Sequence, residues 1–163
     1  LVGSEMCIRD SGILSVCENI SVSNYQKNAA HHLISNRRQD ENAKKWVSEL
    51  GIRCASIEQR INNLSGGNAQ KVIFARVLDS ECPILILDHP TRGVDVGSKG
   101  DIYRLIRDIT EKGVSVILMG DTLDECLGLS SRIIVMKDGL VVKEFDCPVD
   151  NKPDQVDVVK VML

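Results

Sequence analysis

Aromatic side chains are scarce in this 163-residue chain, which has one Trp, two Tyr and two Phe. They are too few and too scattered to form a platform on which nucleic-acid bases stack. An excess of charge of either sign is also lacking, because 20 Lys and Arg stand against 23 Asp and Glu and the formal net charge is -3. The chain therefore has no basic footprint for nucleic acid, and we expect no nucleic-acid partner.

Long apolar runs are missing as well. The longest ones, such as residues 84–87 and 116–119, fall far below the roughly 18 residues that a membrane-spanning helix needs. With 43% hydrophobic residues, the chain nevertheless has the apolar share of an ordinary globular protein. The composition therefore predicts one globular domain, or part of one, without a segment that spans a bilayer.

The six cysteines form no C-x-x-C pair. We interpret them as reduced thiols and not as a disulfide framework or a zinc site. Cys54, Cys82 and Cys126 are expected to be small buried apolar groups. His31 and His32 are expected to be solvated loop residues, because no second cluster of metal-binding side chains accompanies them.

The first ten residues, LVGSEMCIRD, follow neither the period of a strand nor that of a helix. The string resembles the translation of a transposase adapter used to prepare sequencing libraries, with Ser11 at the junction. We therefore leave residues 1–11 out of the fold prediction as an adapter-derived scar. On this interpretation Met6 is not a natural start and the sequence is a fragment; a genuine, weakly ordered N-terminal extension is the alternative.

Hydrophobic periodicity after residue 12 predicts helices and strands in alternation. A short apolar stretch at residues 12–22 leads into a polar segment whose order is not predicted. Helices are expected at about residues 41–50, 68–80, 98–113, 123–127 and 155–163. The run at 84–87 is typical of an interior strand of a parallel sheet, 114–119 is the next strand, and Asp138-Gly139 predicts a hairpin. This order indicates an α/β fold with a parallel core, in which Ser98 caps the third helix.

The most informative string begins at the predicted start of the second helix. Ser65, Gly66 and Gly67 leave backbone N–H groups unobstructed there, and the helix dipole adds positive potential, so a phosphate group fits. For these three residues alone, a serine N-cap after a glycine turn is the better interpretation. The longer string resembles the signature motif of ABC-type ATPases, which contacts the γ-phosphate of a nucleotide held by the opposing domain. Its residues are Leu64, Ser65, Gly66, Gly67, Asn68, Ala69 and Gln70.

Asp88 follows the apolar run at 84–87, at the carboxyl edge where ligands bind in open α/β sheets. A lone Asp at a strand end is more often a cap or turn residue. Placed after a signature motif, it resembles a Walker B aspartate, which orients Mg²⁺ through water.

Two further segments extend the resemblance to most of the chain. Residues 91–97 resemble the D-loop in the second half of the sugar and nucleoside importers whose two nucleotide-binding halves are fused, and its central residues are Gly93, Val94 and Asp95. Residues 15–20 resemble the segment after the Q-loop. No G-x-x-x-x-G-K-[ST] loop occurs in the sequence. The family places that loop further upstream, so we interpret the sequence as truncated and expect the chain alone to be inactive.

The sequence departs from the family at two positions where the chemistry would take place. His89 stands at the position of the general-base Glu, and Asp121 stands at the position of the switch His. An imidazole can accept a proton near neutral pH, but a base normally needs an orienting partner. Three hypotheses stay open: a degenerate site that hydrolyses ATP poorly, which we favour; an exchanged dyad in which His89 and Asp121 hold a water between them; and a packing role for His89 beside Pro90.

The resemblance implies a parallel-sheet fold of the P-loop NTPase type with a helical signature subdomain. Residues 12–80 would form that subdomain, 81–147 the Walker B, D-loop and C-terminal part of the α/β core, and 148–163 a connector and helix. ATP and Mg²⁺ are the implied cofactors. The implied function is that of the second nucleotide-binding domain of an importer ATPase similar to those for ribose, galactose or xylose. A degenerate half that only completes a partner domain's ATP site is the alternative.

The implied partners follow from the same resemblance. They are another nucleotide-binding domain, in the same full-length chain or in a second copy, transmembrane permease subunits and, indirectly, a periplasmic sugar-binding protein. The implied location is the cytoplasm, at the inner face of the bacterial plasma membrane. The transported substrate is not encoded in any motif of this chain, because the binding protein and the permease select it.

Overall fold

The computed structural model describes residues 2–3, 12–24, 29–30 and 33–163. The helices are α1 Val16–Ser21, α2 Asn36–Glu49, α3 Gly66–Asp79, α4 Val96–Glu111, α5 Leu123–Leu129 and α6 Gln155–Met162. The strands are β1 Val2–Gly3, β2 Ala29–Ala30, β3 Leu33–Ile34, β4 Ile84–Asp88, β5 Ser115–Met119, β6 Arg132–Lys137 and β7 Leu140–Asp146. The predicted α/β fold with a parallel core is confirmed.

The central sheet has the order β1-β4-β5, and both pairings are parallel. β4 and β5 pair without an offset from Ile84 opposite Ser115 to Asp88 opposite Met119. On the other side of β4, β1 places Gly3 opposite Asp88. β1 belongs to residues 1–11, whose origin as an adapter-derived scar stays a prediction.

One face of this sheet is packed and the other is open. Leu85 and Leu87 are buried against α3 and α4, in a cluster that also holds Phe74 and Ile102. Side chains alternate along a strand, so the residues between them point to the opposite face. There Ile84, Ile117 and Met119 are 59%, 55% and 43% exposed. The interior strand predicted at 84–87 is confirmed as the central strand of this sheet, but only one of its two faces is buried.

A second hydrophobic cluster lies among α1, α2 and α3. α3 joins the two clusters, because it is apolar on most of its circumference. Ala69 and Val72 face α1 and α2, whereas Ile73 and Phe74 face the sheet. This shared helix carries the signature string at its N-terminus and fixes its position relative to the strands.

Helix α1 was not predicted from the sequence. Ser15 caps it by accepting a hydrogen bond from the backbone N–H of Glu18 at 3.1 Å, and the Glu18 carboxylate accepts from the backbone N–H of Ser15 at 2.7 Å. This reciprocal capping box satisfies two N–H groups that the helix itself leaves unpaired. Six residues are too few for periodicity to reveal the helix.

The predicted hairpin is confirmed as β6 and β7, which are antiparallel. Asp138 and Gly139 both adopt positive φ, at 52° and 79°, as a two-residue turn of this kind requires.

The expectation for the cysteines is wrong in part. Cys82 is exposed, and Cys54 and Cys126 are only half-buried.

His31 and His32 lie outside the described residues, so their expected role is not addressed by the structure. In the described part of the chain, no helix combines the length and the apolar character that crossing a membrane requires.

Candidate functional site

The carboxyl ends of β4 and β5 bring together the residues that the sequence predicts for the Walker B, general-base and switch positions. Asp88 is the last residue of β4 and lies opposite Met119. His89 continues the pairing, because its backbone N–H donates to the Met119 carbonyl at 2.8 Å. Its φ of 50° then turns the chain away from the strand, in a region that His, Asn and Asp enter more readily than most residues.

The imidazole of His89 lies between two carboxylates. Its Nδ1 is 2.8 Å from Oδ1 of Asp121, and its Nε2 is 3.6 Å from Oδ1 of Asp88. The Nδ1 atom is buried, but its short contact with Asp121 lacks the alignment of a hydrogen bond. The two residues that depart from the family pattern are therefore in direct contact across the sheet edge.

This contact changes the geometry expected for an exchanged dyad. A water molecule does not fit between two atoms 2.8 Å apart. The expected water between His89 and Asp121 is thus replaced by direct contact. If this imidazole accepts a proton from water, Nε2 on the other side of the ring is the atom that can do so, and Asp121 then serves to orient the ring.

The loops after β4 and β5 are joined by a buried carboxylate that the sequence analysis did not single out. Glu125 accepts a hydrogen bond from the Thr91 hydroxyl at 2.8 Å and another from the backbone N–H of Asp121 at 2.9 Å. Thr122 caps α5 by accepting from the Glu125 N–H at 3.2 Å. The pattern T-x-x-E of a capping box was the available signal.

The signature string lies at the N-terminus of α3. Ser65 is the N-cap by position, yet its side chain accepts no hydrogen bond from the helix backbone. Its hydroxyl instead accepts from the Asn68 side-chain amide at 2.9 Å, while the Asn68 oxygen accepts from the backbone N–H of Arg53 at 2.7 Å. The serine side chain therefore leaves the first N–H groups of this helix without a cap of their own.

The remaining residues of the string pack inward. Ala69 and Gln70 are buried and Leu64 is half-buried. The two glycines closely approach residues 93–98, which include part of the predicted D-loop. A Cβ on Gly66 would lie 2.8 Å from the Gly93 carbonyl oxygen, and one on Gly67 would lie 2.6 Å from Cβ of Ser98. Glycine is required at these positions by the packing within the chain.

Asp95, a residue of the predicted D-loop, caps helix α4. Its two carboxylate oxygens accept from the Ser98 backbone N–H at 2.9 Å and the Ser98 hydroxyl at 2.8 Å. Hydrogen bonding to the Ser98 side chain, followed by that to the backbone N–H, holds the pKa of Asp95 below its usual value of 3.8. The prediction that Ser98 caps this helix is wrong, because Asp95 already satisfies its N–H.

The structure thus forms two groups from the predicted residues. Asp88, His89 and Asp121 meet at the sheet edge, and the signature string meets the segment around Gly93. Residues 88–95 join the groups. Within the described residues, no three His, Cys, Asp or Glu side chains are arranged to hold a metal ion by themselves. A Mg²⁺ ion at Asp88 would therefore need ligands from water or nucleotide.

A family model described as ABC transporter matches residues 5–92. The chain belongs to the ABC transporter ATP-binding family. It is 44% identical over 133 residues to the xylose import ATP-binding protein XylG of Thermoanaerobacter pseudethanolicus. The alignment covers 82% of this chain and 26% of that relative. The ribose import ATP-binding protein RbsA of Hahella chejuensis is 42% identical over 130 residues, covering 79% and 26%.

A third relative, the arabinose import ATP-binding protein AraG of Vibrio parahaemolyticus, is 44% identical over 134 residues and gives coverages of 82% and 26%. The chain therefore spans about a quarter of the length of these curated relatives. Their names describe import of three different sugars.

The solved structures support the fold. A dimeric ATP-binding cassette in a post-hydrolysis state with ADP and Pi has a TM-score of 0.69 at 25% identity, and the match covers 84% of this chain and 58% of that one. A nucleotide-free ATP-binding cassette has a TM-score of 0.76 at 21% identity, with coverages of 95% and 65%. The fold is that of ABC ATPase cassettes, a parallel-sheet α/β fold of the P-loop NTPase type.

Proposed function

We propose that this chain is part of the second nucleotide-binding domain of an ABC sugar importer, in which ATP binding and hydrolysis are coupled to transport. The observation that carries the proposal is the signature string, whose glycines pack against the D-loop segment at an uncapped helix N-terminus. The sugar-import names of the relatives support the substrate class. The D-loop string T-R-G-V-D-V-G supports the assignment to the second half.

The residues of this chain fit the terminal phosphate of ATP held by a partner domain. Ser65 and Gly66 are exposed at the start of α3, where backbone N–H groups and the helix dipole favour an anion. Because Gly67 and Gly66 are held against the D-loop segment, these donors are fixed before a phosphate arrives. Preorganised donors of this kind stabilise charge at little reorganisation cost.

Asp88 suits a magnesium ion that reaches it through water. Its carboxylate is partly exposed at the strand end, next to the His89 ring. When bound, Mg²⁺ supplies charge stabilisation to the phosphates. In this chain Asp88 would hold water ligands of the ion, while Asp121 lies in contact with the other side of the His89 ring.

The proposed partners follow from this incomplete site. A second nucleotide-binding domain, in the same full-length chain or in another copy, would supply the phosphate loop opposite Ser65. Permease subunits at the inner face of the bacterial plasma membrane would receive the motion, and a periplasmic sugar-binding protein would act through them. ATP binding would close the pair of domains and hydrolysis would reopen it.

The second candidate function is a degenerate half that binds nucleotide and completes only the partner's site. The observation in its favour is His89, which replaces a carboxylate base and turns its buried Nδ1 toward Asp121. On this model the signature string is essential, whereas the chain's own Asp88 site contributes little to turnover.

Two substitutions in the full-length ATPase test the proposal and separate the candidates. Ser65→Arg should lower ATP turnover by about a hundredfold or more, because it fills the phosphate position with a large side chain. Asp88→Asn should lower it by less than about tenfold if the site at Asp88 is degenerate. The measurement is steady-state ATP hydrolysis by the purified protein.

Ser48→Arg, at an exposed position on helix α2, is the matched control and should leave turnover unchanged. Full activity of Ser65→Arg would contradict the proposed function. Equal losses from Ser65→Arg and Asp88→Asn would contradict the degenerate half and show that both sites hydrolyse ATP.

A further inference from the structure

Glu125 is a buried carboxylate that lies between the loop after β4 and the loop after β5. Its residue is 5% exposed, and its hydrogen-bond donor Thr91 is fully buried. The two oxygens have different partners: Oε1 accepts from the Thr91 hydroxyl, and Oε2 accepts from the backbone N–H of Asp121. One side chain thus ties the loop that leaves β4 to the loop that leaves β5.

Burying a carboxylate is costly unless hydrogen bonds satisfy it. At Glu125 these bonds come from neutral donors. The Tyr103 hydroxyl joins the same cluster, where burial, followed by the Glu125 charge, raises its pKa above the usual value of 10. A cluster of this kind makes the geometry of both loops depend on a single side chain.

Within the His89 and Asp121 pair, the cluster holds Asp121 directly, because the Asp121 backbone N–H donates to Glu125. His89 lies two residues before Thr91, in a turn where the Arg92 N–H donates to the His89 carbonyl at 3.1 Å. The turn before Asp121 is equally tight, because a Cβ on Gly120 would lie 3.2 Å from Oε2 of Glu125. Little freedom is left for Asp121 to move away from the imidazole.

We propose that Glu125 is a positioning residue that holds Asp121 against His89 by joining the ends of β4 and β5. It acts through the backbone of Asp121 and the hydroxyl of Thr91, without touching nucleotide. Its effect on ATP turnover rests on the proposed function, whereas its effect on the geometry of the His89 and Asp121 pair does not.

The substitutions Glu125→Ala and Glu125→Gln separate positioning from charge. Alanine removes both acceptors. Glutamine keeps the cluster, because its amide oxygen accepts from the Asp121 N–H while its NH₂ group donates to the Thr91 hydroxyl oxygen. Asp124→Ala is the matched control, since Asp124 is an exposed acidic residue in the same first turn of α5.

If the site at Asp88 hydrolyses ATP, Glu125→Ala in the full-length ATPase should lower kcat by about tenfold, with an unchanged KM for ATP. Glu125→Gln should recover most of the activity, and Asp124→Ala should match the wild type. The kcat of Glu125→Ala is calculated per molecule that still binds nucleotide. If the loss disappears after this correction, the role of Glu125 is purely structural and the proposal is overturned. A folded Glu125→Gln as inactive as Glu125→Ala would overturn it in favour of the charge.

A second measurement does not depend on ATP hydrolysis. In the 163-residue chain, NMR should show that Glu125→Ala accelerates hydrogen exchange of the Asp121 amide and shifts the ring resonances of His89, while Glu125→Gln changes neither. Unchanged resonances in a folded Glu125→Ala chain would overturn the positioning role. If these NMR effects appear but the wild-type full-length protein hydrolyses no ATP, the proposed function fails and the positioning role stands.

Discussion

Gly67 is buried at the start of α3, and its lack of a side chain lets this helix approach α4 closely. A Cβ at this position would meet Ser98 Cβ at 2.6 Å and Ser98 Oγ at 2.8 Å. The packing role alone would select glycine here, so a G-G pair is not by itself a sign of phosphate binding.

We expect Gly67→Ala to lower the free energy of unfolding by about 1–3 kcal/mol, because the added methyl group overpacks a closed contact. Urea denaturation of the 163-residue chain measures this. Gly100→Ala is the control: it lies inside α4 with open space around it, and should raise stability by about 0.5–1 kcal/mol through helix propensity.

Adding Ser98→Gly to Gly67→Ala removes both atoms that the new methyl group would meet. In a double-mutant cycle, Gly67→Ala should therefore lower the free energy of unfolding less in the Ser98→Gly background than in the wild-type chain. Additive effects of the two substitutions would contradict the steric explanation.

At the residue scale the sequence predicted which of the candidate site residues lie near one another better than what they contact. Asp88, His89 and Asp121 could be placed at one sheet edge because each follows a parallel strand. The direct contact between His89 and Asp121 could not be predicted, since it depends on the positive φ of His89. Glu125 was missed because its burial arises from packing between elements that lie far apart in the sequence.

At the scale of single elements, α1 depends most on its cap. Hydrogen bonds from the Ser15 backbone N–H, followed by the Ser15 hydroxyl, hold the pKa of Glu18 below its usual value of 4.5. A carboxylate whose pKa is lower in the folded chain than in the unfolded chain stabilises the fold at any pH above its unfolded-state pKa. This contribution is lost as the pH falls through the folded-state pKa.

The wild-type chain should therefore lose more stability than Glu18→Gln when the pH is lowered from about 6.5 to about 3. The amide accepts a hydrogen bond but does not titrate. Urea midpoints of both chains at the two pH values measure the difference. Glu111→Gln, at the exposed end of α4, controls for the loss of one negative charge, and an equal acid loss in wild type and Glu18→Gln would refute the linkage.

Long elements were predictable and their ends were not. The apolar spacing before Gly51 predicted α2, but its start at Asn36 lies in a polar segment without periodicity. The N-cap of α4 is Asp95 and not Ser98, because either residue can cap a helix and only the structure shows that Asp95 accepts from Ser98. Where two nearby residues can each act as the N-cap, the sequence alone does not determine where the helix begins.

At the scale of the whole molecule, the open face of the sheet is the main departure from expectation. A continuous apolar run predicts burial on both faces. In the structure the helices α3 and α4 cover one face, and Ile84, Ile117 and Met119 stay exposed on the other. Sequence alone could not show this, because an apolar residue is compatible with either face and only neighbouring elements decide whether it is covered.

The exposed face should make the 163-residue chain self-associate as concentration rises, since contiguous apolar surface is buried on contact. Sedimentation velocity over a concentration series measures this. Ile117→Lys should abolish or strongly weaken association while leaving the unfolding midpoint unchanged. Val149→Lys, at an apolar residue exposed outside the sheet, is the control, and equal weakening by both variants would contradict an association through the sheet face.

The register of β4 and β5 bears on how the length of this chain can vary during evolution. The two strands pair without an offset up to Asp88 and Met119. A single residue inserted into either strand would turn the following side chains to the opposite face and separate the groups that meet at this edge. The turn at Gly113, where φ is 89°, lies at the other end of the crossover. Insertions and deletions should therefore accumulate at that turn, while the strands keep their length.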